Sequence, residues 1–187
     1  MNLTLPKALE VDGKLQPIRY DFRVILEIIE MLNDADLSDA DKAEALLQMF
    51  YLNPEEITDL QDAVQKCFRF IDYSQKSKKP GPRLIDWEQD FDYIIAPVNR
   101  VLGCETRAIE YDPDTNTGGL HWWTFMSAYM EIGGECLFSQ IVSIRDKQAR
   151  GKKLEKHERE WLRRNADIVR IQTKYSSSEK DILKEWT

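Results

Sequence analysis

At 187 residues, 42% hydrophobic and 32% charged, the chain is long enough to bury a core without disulfides or metal, and too apolar for wholesale disorder. Its net charge of −7 is skewed, strongly acidic through residue 72 and mildly basic after residue 119, which suits self-association or a partner of complementary charge but is too weak to imply nucleic acid. No apolar run approaches the ~20 residues of a membrane span, and the N-terminus lacks the pattern of a secretory signal, so a cytoplasmic location is expected.

The first element is read from "KALEVDGKLQPIRYD", where Asp12-Gly13 sits between alternating segments and predicts a two-stranded ribbon. Pro6 and Pro17 restrict its strands to edges. A helix over 21–33 follows, with Phe22, Ile25, Ile29 and Leu32 on one face. Ser38 is a good N-cap for a helix over 38–51. Asn53, Pro54, Glu55 and Glu56 together predict the start of a helix over 53–73, whose stripe is Ile57, Leu60, Val64, Cys67, Phe68 and Ile71.

"SQKSKKPGP" (74–82) reads as a solvated, hinge-like connection. Helical spacing returns over 83–103, with Trp87, Phe91, Ile94, Ile95, Val98, Val101 and Leu102 on a face and Gly103 as the stop. Pro97 predicts a kink near 93–96. Residues 104–119 read as an exposed, mobile loop.

"GGLHWWTFMSAYMEIG" (118–133) is apolar nearly all round a helix. Trp122, Trp123, Phe125, Met126 and Tyr129 therefore read as an architectural aromatic hub rather than a ligand cage. The indole N–H groups, and His121, then require internal partners. Gly133-Gly134 breaks this helix from the next, over 135–151, where Leu137, Ile141 and Ile144 face one way beside Phe138 and Val142. Residues 152–187 predict a long charged helix with Leu154, Trp161, Ile168 and Tyr175 seven apart, then a short helix capped near Ser178. The fold class is mostly α: a single domain of about seven helices with an N-terminal β-ribbon, divided into a body (1–151) and a C-terminal extension (152–187).

The chemistry-bearing residues are sparse. His121 and His157 stand apart from Cys67, Cys104 and Cys136, so no zinc spacing exists. The odd cysteine count suits free, mostly buried thiols. No nucleophile elbow or phosphate-binding glycine loop occurs. Asp86, Glu88, Asp90 and Asp92 read as a solvated helix face. In the basic stretch 147–165, Glu155, Glu158 and Glu160 compete for the cations, so nucleic-acid binding is not expected. No catalytic, cofactor-binding or metal-binding residue is expected. The narrow stripe Leu154, Trp161, Leu162, Ile168 and Val169 either packs on its own domain or binds a partner.

Three blocks then stand together: "DWEQDFDYIIAPVNRVLGCE", "LHWWTFMSAYMEIG" and "FSQIVSIRDKQARGKKLEKHEREWLRRN". They resemble the "gene product fifteen" family of long-tailed phages and prophages of Gram-positive bacteria. The resemblance covers most of the chain and is most specific over 86–165. It implies a non-enzymatic tail-assembly chaperone that binds the tape-measure protein in the host cytoplasm. The alternatives are a structural tail or connector component, or a nucleic-acid-binding regulator. The family carries over no catalytic residue.

Overall fold

In a computed structural model, which describes residues 4–73, 81–173 and 176–177, the chain is mostly helical. Its first elements are β1 (Ala8–Val11), β2 (Lys14–Pro17), α1 (Phe22–Leu32), α2 (Asp39–Phe50) and α3 (Leu60–Ile71). Next come α4 (Trp87–Leu102), β3 (Tyr111–Asp112), β4 (Thr117–Gly118) and α5 (Trp122–Met130). The series ends with α6 (Leu137–Ala149), α7 (Lys156–Arg164) and α8 (Ala166–Val169). Two compact units form. One comprises Met1–Lys76, Arg107–Met126 and Lys174–Thr187; the other comprises Ser77–Thr106 and Ser127–Thr173.

In the first unit the predicted ribbon is present. Asp12 and Gly13 both take positive φ, 52° and 72°, as a two-residue turn between right-twisted strands requires. Asp21 caps α1, accepting from the Arg23 backbone N–H at 3.0 Å. The buried face of α1 is Phe22, Ile25 and Ile28, not the expected Phe22, Ile25, Ile29 and Leu32. Ser38 closes a capping box with Asp41, and α2 contributes Leu46, Leu47 and Phe50 to the core.

The helix predicted from Asn53 begins later. Pro54–Glu56 form one 3-10 turn without a side-chain cap from Asn53, and Asp59 caps α3 instead. The register shifts with it. Ala63, Cys67, Phe70 and Ile71 are buried, while Leu60 and Phe68 are 56% and 40% exposed.

Residues 104–119 are not a plain exposed loop. Thr106 is buried, and β3 and β4 pair as a second hairpin. Within the first unit Asn116 ties that hairpin down: its side-chain amide donates to the Ile18 carbonyl at 3.0 Å, and its own carbonyl accepts from the Tyr20 hydroxyl at 3.3 Å. Gly119 has φ +74°, and a methyl group there would press on the Asp21 carboxylate and meet the Tyr111 ring at 2.9 Å. Gly119→Ala is expected to destabilise the protein by at least about 2 kcal/mol, read as a lower denaturant midpoint.

In the second unit α4 starts at Asp86, whose side chain accepts from the Gln89 N–H, runs through the buried Pro97, and stops at left-handed Gly103. Ile94, Ile95 and Val98 are buried as expected, but Val101 is 41% exposed. On α6 the buried residues are Phe138, Ile141 and Ile144 together with Arg145, while Leu137 lies outside.

The expected long C-terminal helix is two short ones, broken at Asn165, so Leu154, Trp161 and Ile168 do not share one helix. Residues 152–173 belong to the second unit rather than projecting from it. The connection expected over 74–82 and the helix expected near Ser178 lie outside the described residues, except for residues 81 and 82. Among the described residues no helix is long and apolar enough to cross a membrane.

Candidate functional site

The tryptophan pair sits where α3 ends. The last four carbonyls of any α-helix lack intrahelical donors. Here the Trp122 indole N–H donates to the Ile71 carbonyl at 2.8 Å, and the Trp123 indole N–H donates to the Phe70 carbonyl at 3.0 Å. Tyr73, in the left-handed region at φ 54°, also donates its backbone N–H to the Phe70 carbonyl at 3.1 Å, so the two indoles add to a cap that a glycine would ordinarily make.

Backbone pairing sets their position. Asp21 and His121 form an isolated antiparallel bridge, with Phe22 N–H donating to Leu120 O at 3.0 Å and Trp122 N–H to Tyr20 O at 2.7 Å. Phe125 stacks on Phe22 at 4.8 Å and on Trp122 at 5.7 Å. Trp122 and Phe125 are buried, whereas Trp123 and Met126 are half-buried. Tyr129 is half-buried in the second unit, between Trp87 at 5.1 Å and Phe138 at 5.9 Å. Burial, with Asp90 adding to it, pushes its phenol up to about 12.

His121 is held at both ring nitrogens. Nε2 lies 2.9 Å from the Pro6 carbonyl and so carries the proton, while Nδ1 accepts from the Trp123 backbone N–H at 3.0 Å. Burial pushes its pKa below the ordinary histidine value; the Pro6 hydrogen bond opposes this and Lys7 adds to it. Because the folded pKa is depressed, the unfolded chain takes the proton first as pH falls. The stability associated with neutral His121 is complete above the unfolded value of about 6.5 and is lost below it, down to the folded pKa. Unfolding midpoints measured from pH 7.5 to 5 should fall below pH 6.5, and His121→Gln should flatten that slope.

Beside this cluster, within the first unit, lies an open groove of about 690 Å³. Ala8, Leu9 and Glu10 of β1 form one wall, Lys66, Arg69 and Phe70 of α3 the other, and Trp123 joins the lining. The half-buried indole is thus both a cap and part of a surface. No local spacing signals this, because β1 and α3 are more than fifty residues from Trp123.

The carboxylates read as a solvated face divide. Asp86 and Asp90 are buried. Asp90 forms a two-pronged pair with Arg145, at 2.6 and 2.9 Å, and both residues are nearly inaccessible to solvent. Arg145 also donates to the carbonyls of Val169 (2.6 Å), Leu84 (2.9 Å) and Ile168 (3.0 Å), so all of its nitrogens are engaged. Gln89 adds a second grip on this segment: its amide donates to Arg170 O at 2.9 Å and accepts from Gln172 N–H at 3.0 Å.

Of the stripe considered for partner binding, Val169 is therefore buried in its own unit, and Leu154, Trp161, Leu162 and Ile168 are half-buried. In the basic stretch, Lys147 pairs with Glu158, and Arg150 with Asp146 at 2.5 Å. Among the described residues no three His, Cys, Asp or Glu side chains gather as a metal-binding set. Cys67 is a buried free thiol, Cys136 is half-buried and Cys104 is exposed. The expectation of mostly buried thiols is met only at Cys67.

A family model described as bacteriophage Gp15 protein matches residues 1–171. The chain belongs to the bacteriophage Gp15 family. No curated protein and no solved structure matches it. The Gp15 match takes in the ribbon, the tryptophan cap and the Arg145–Asp90 pair, and it ends within the segment that Gln89 grips. The family resemblance seen in the "LHWWTF" and "IVSIRDKQARGKKL" blocks thus falls on residues that hold each unit together.

Proposed function

We propose that this Gp15-family protein is a non-enzymatic tail-assembly chaperone that binds the tape-measure protein in the host cytoplasm before the tail tube forms. The observation that carries the reading is the family match over residues 1–171, which supports a phage structural or tail-related role. The surface is suited to it. Leu60, Val64 and Phe68 lie four apart on α3, outside its buried face, and the outer two are substantially exposed. Such a stripe fits the apolar face of an amphipathic helix, which is how a long helical rod would be held. The half-buried Leu154, Trp161 and Leu162, on and just before α7, are a second contact region in this reading.

The test is co-expression of the tagged chain with the tape-measure protein of its own phage, followed by purification and by mass spectrometry of finished virions. A chaperone keeps the tape measure soluble, co-purifies with it and is depleted from virions. Stoichiometric presence in virions would overturn the reading in favour of a structural tail component, and salt-sensitive retention on DNA would favour a regulator instead. Removal of residues 152–187 is a poor probe, because Val169 and the carbonyls of Ile168 and Val169 complete the second unit. Leu60→Asp with Phe68→Asp tests the α3 stripe directly and should abolish co-purification.

A further inference from the structure

The outer edge of β1 carries unused backbone hydrogen-bonding groups. Val11 and Lys14 flank the two-residue turn, and in such a hairpin that pair exchanges both ladder bonds. Odd-numbered residues of β1 therefore bond toward β2, and the Ile18 N–H to Lys7 O bond at 3.1 Å continues that phase. Even-numbered residues point their N–H and C=O groups the other way, toward the groove. The protein itself satisfies both ends of this edge. His121 Nε2 takes the Pro6 carbonyl, Lys66 takes the Glu10 carbonyl, and the Asp12 N–H reaches Asp62 at 3.5 Å. Between these ends, the Ala8 N–H, the Ala8 carbonyl and the Glu10 N–H have no hydrogen-bond partner among the described residues.

The charged side chains lining the groove in front of these groups are Glu10, Lys66 and Arg69. Arg69 is exposed and feels the charge of Asp62 without a direct hydrogen bond or ion pair among the described residues, whereas Lys66 pairs with Asp62 and donates to the Glu10 carbonyl, which leaves Arg69 the cation most open to an incoming carboxylate. The Trp123 and Phe70 rings, 5.6 Å apart, supply an apolar part of the lining.

We propose that β1 accepts an extended segment of another protein as a third strand, lying in this groove, with an acidic side chain on Arg69 and an apolar one against Trp123. An extended segment fits where a helix does not, because a helix has spent its backbone groups internally and cannot satisfy the open positions at Ala8 and Glu10. An acidic residue fits because a guanidinium recognises a carboxylate through two parallel donors. This site is separate from the α3 stripe and does not depend on the chaperone reading.

The probe is a fluorescein-labelled, C-amidated hexapeptide alternating valine and glutamate, titrated with the full chain by fluorescence polarisation. A valine–lysine hexapeptide is the control. The glutamate peptide is expected to bind at least tenfold more tightly than the lysine peptide, and Arg69→Glu is expected to reverse that order. Ala8→Pro removes an edge N–H that β2 does not use, so it should weaken binding at least tenfold, while Ala8→Val stays within threefold of the parent chain. In amide NMR spectra of the parent chain, the peptide should shift Ala8 and Glu10 first, a readout independent of how any variant folds. Failure to bind at ~1 mM peptide, equal binding of both peptides, or shifts elsewhere with Ala8 and Glu10 unmoved would each overturn the proposal. So would a dimer of the chain that Ala8→Pro converts to monomer, since a second copy would then occupy the edge.

Discussion

Arg145→Met is expected to destabilise the second unit by about 3–5 kcal/mol, the range for breaking a buried ion pair from one side. The loss is large because the substitution strands several groups at once. Asp90 is fully buried and would keep a charge with no counter-ion. The carbonyls of Leu84, Ile168 and Val169 would lose the donors that hold them at 2.6–3.0 Å. Arg145→Lys should be nearly as damaging, because an ammonium has three donors at one point and cannot reproduce the planar fork. The double variant Arg145→Met with Asp90→Leu should cost less than the sum of its parts, since no lone charge remains. Denaturant unfolding measures these differences. Limited proteolysis should show residues 166–172 cut first in the single variant, because Arg145 and Gln89 are what hold that segment.

Trp122→Ala is expected to cost about 3–5 kcal/mol in the first unit, as large-to-small changes of buried aromatic residues do. Trp122 is 1% exposed, stacks on Phe125 and caps the Ile71 carbonyl, so the variant leaves a cavity and an orphaned acceptor together. Trp122→Phe separates the two effects. It keeps one aromatic ring and loses the donor with a smaller loss of volume than alanine, which should cost about 1–3 kcal/mol. Trp123→Ala, from a half-buried position, should cost clearly less than Trp122→Ala. Thermal and urea unfolding of the three variants gives the ranking, and equal losses at both tryptophans would contradict it.

Features set by neighbouring residues were legible in the sequence. Asp12-Gly13 needs only its own backbone freedom, Ser38 needs a partner three residues away, and Gly103 needs only a helix to end. The requirement that both indole N–H groups find internal acceptors was also legible, because burial of a tryptophan demands it. The acceptors were not. They lie more than fifty residues upstream, on a helix whose true start at Asp59 was hidden by the stronger local signal of Asn53-Pro54.

Distance in sequence explains the other corrections as well. Asp90 looked like one member of an outer acidic row because its counter-ion is fifty-five residues away on α6. Residues 104–119 looked loose because Asn116 is anchored ninety-eight residues upstream, at Ile18. The seven-residue recurrence of Leu154, Trp161 and Ile168 counted positions correctly but could not register the break at Asn165. The β1 groove needed both the strand phase and the position of α3, neither of which is a property of any short stretch.

The exchange rate of the Trp122 indole proton with solvent, followed by NMR on indole-labelled protein, measures most directly whether the tryptophan pair is internal support or an open recognition surface. A proton bonded to the last carbonyl of α3 should exchange only when the first unit opens, at a rate that rises in step with denaturant-induced unfolding. Exchange as fast as that of a free indole, and indifferent to denaturant, would show that the ring does not cap α3.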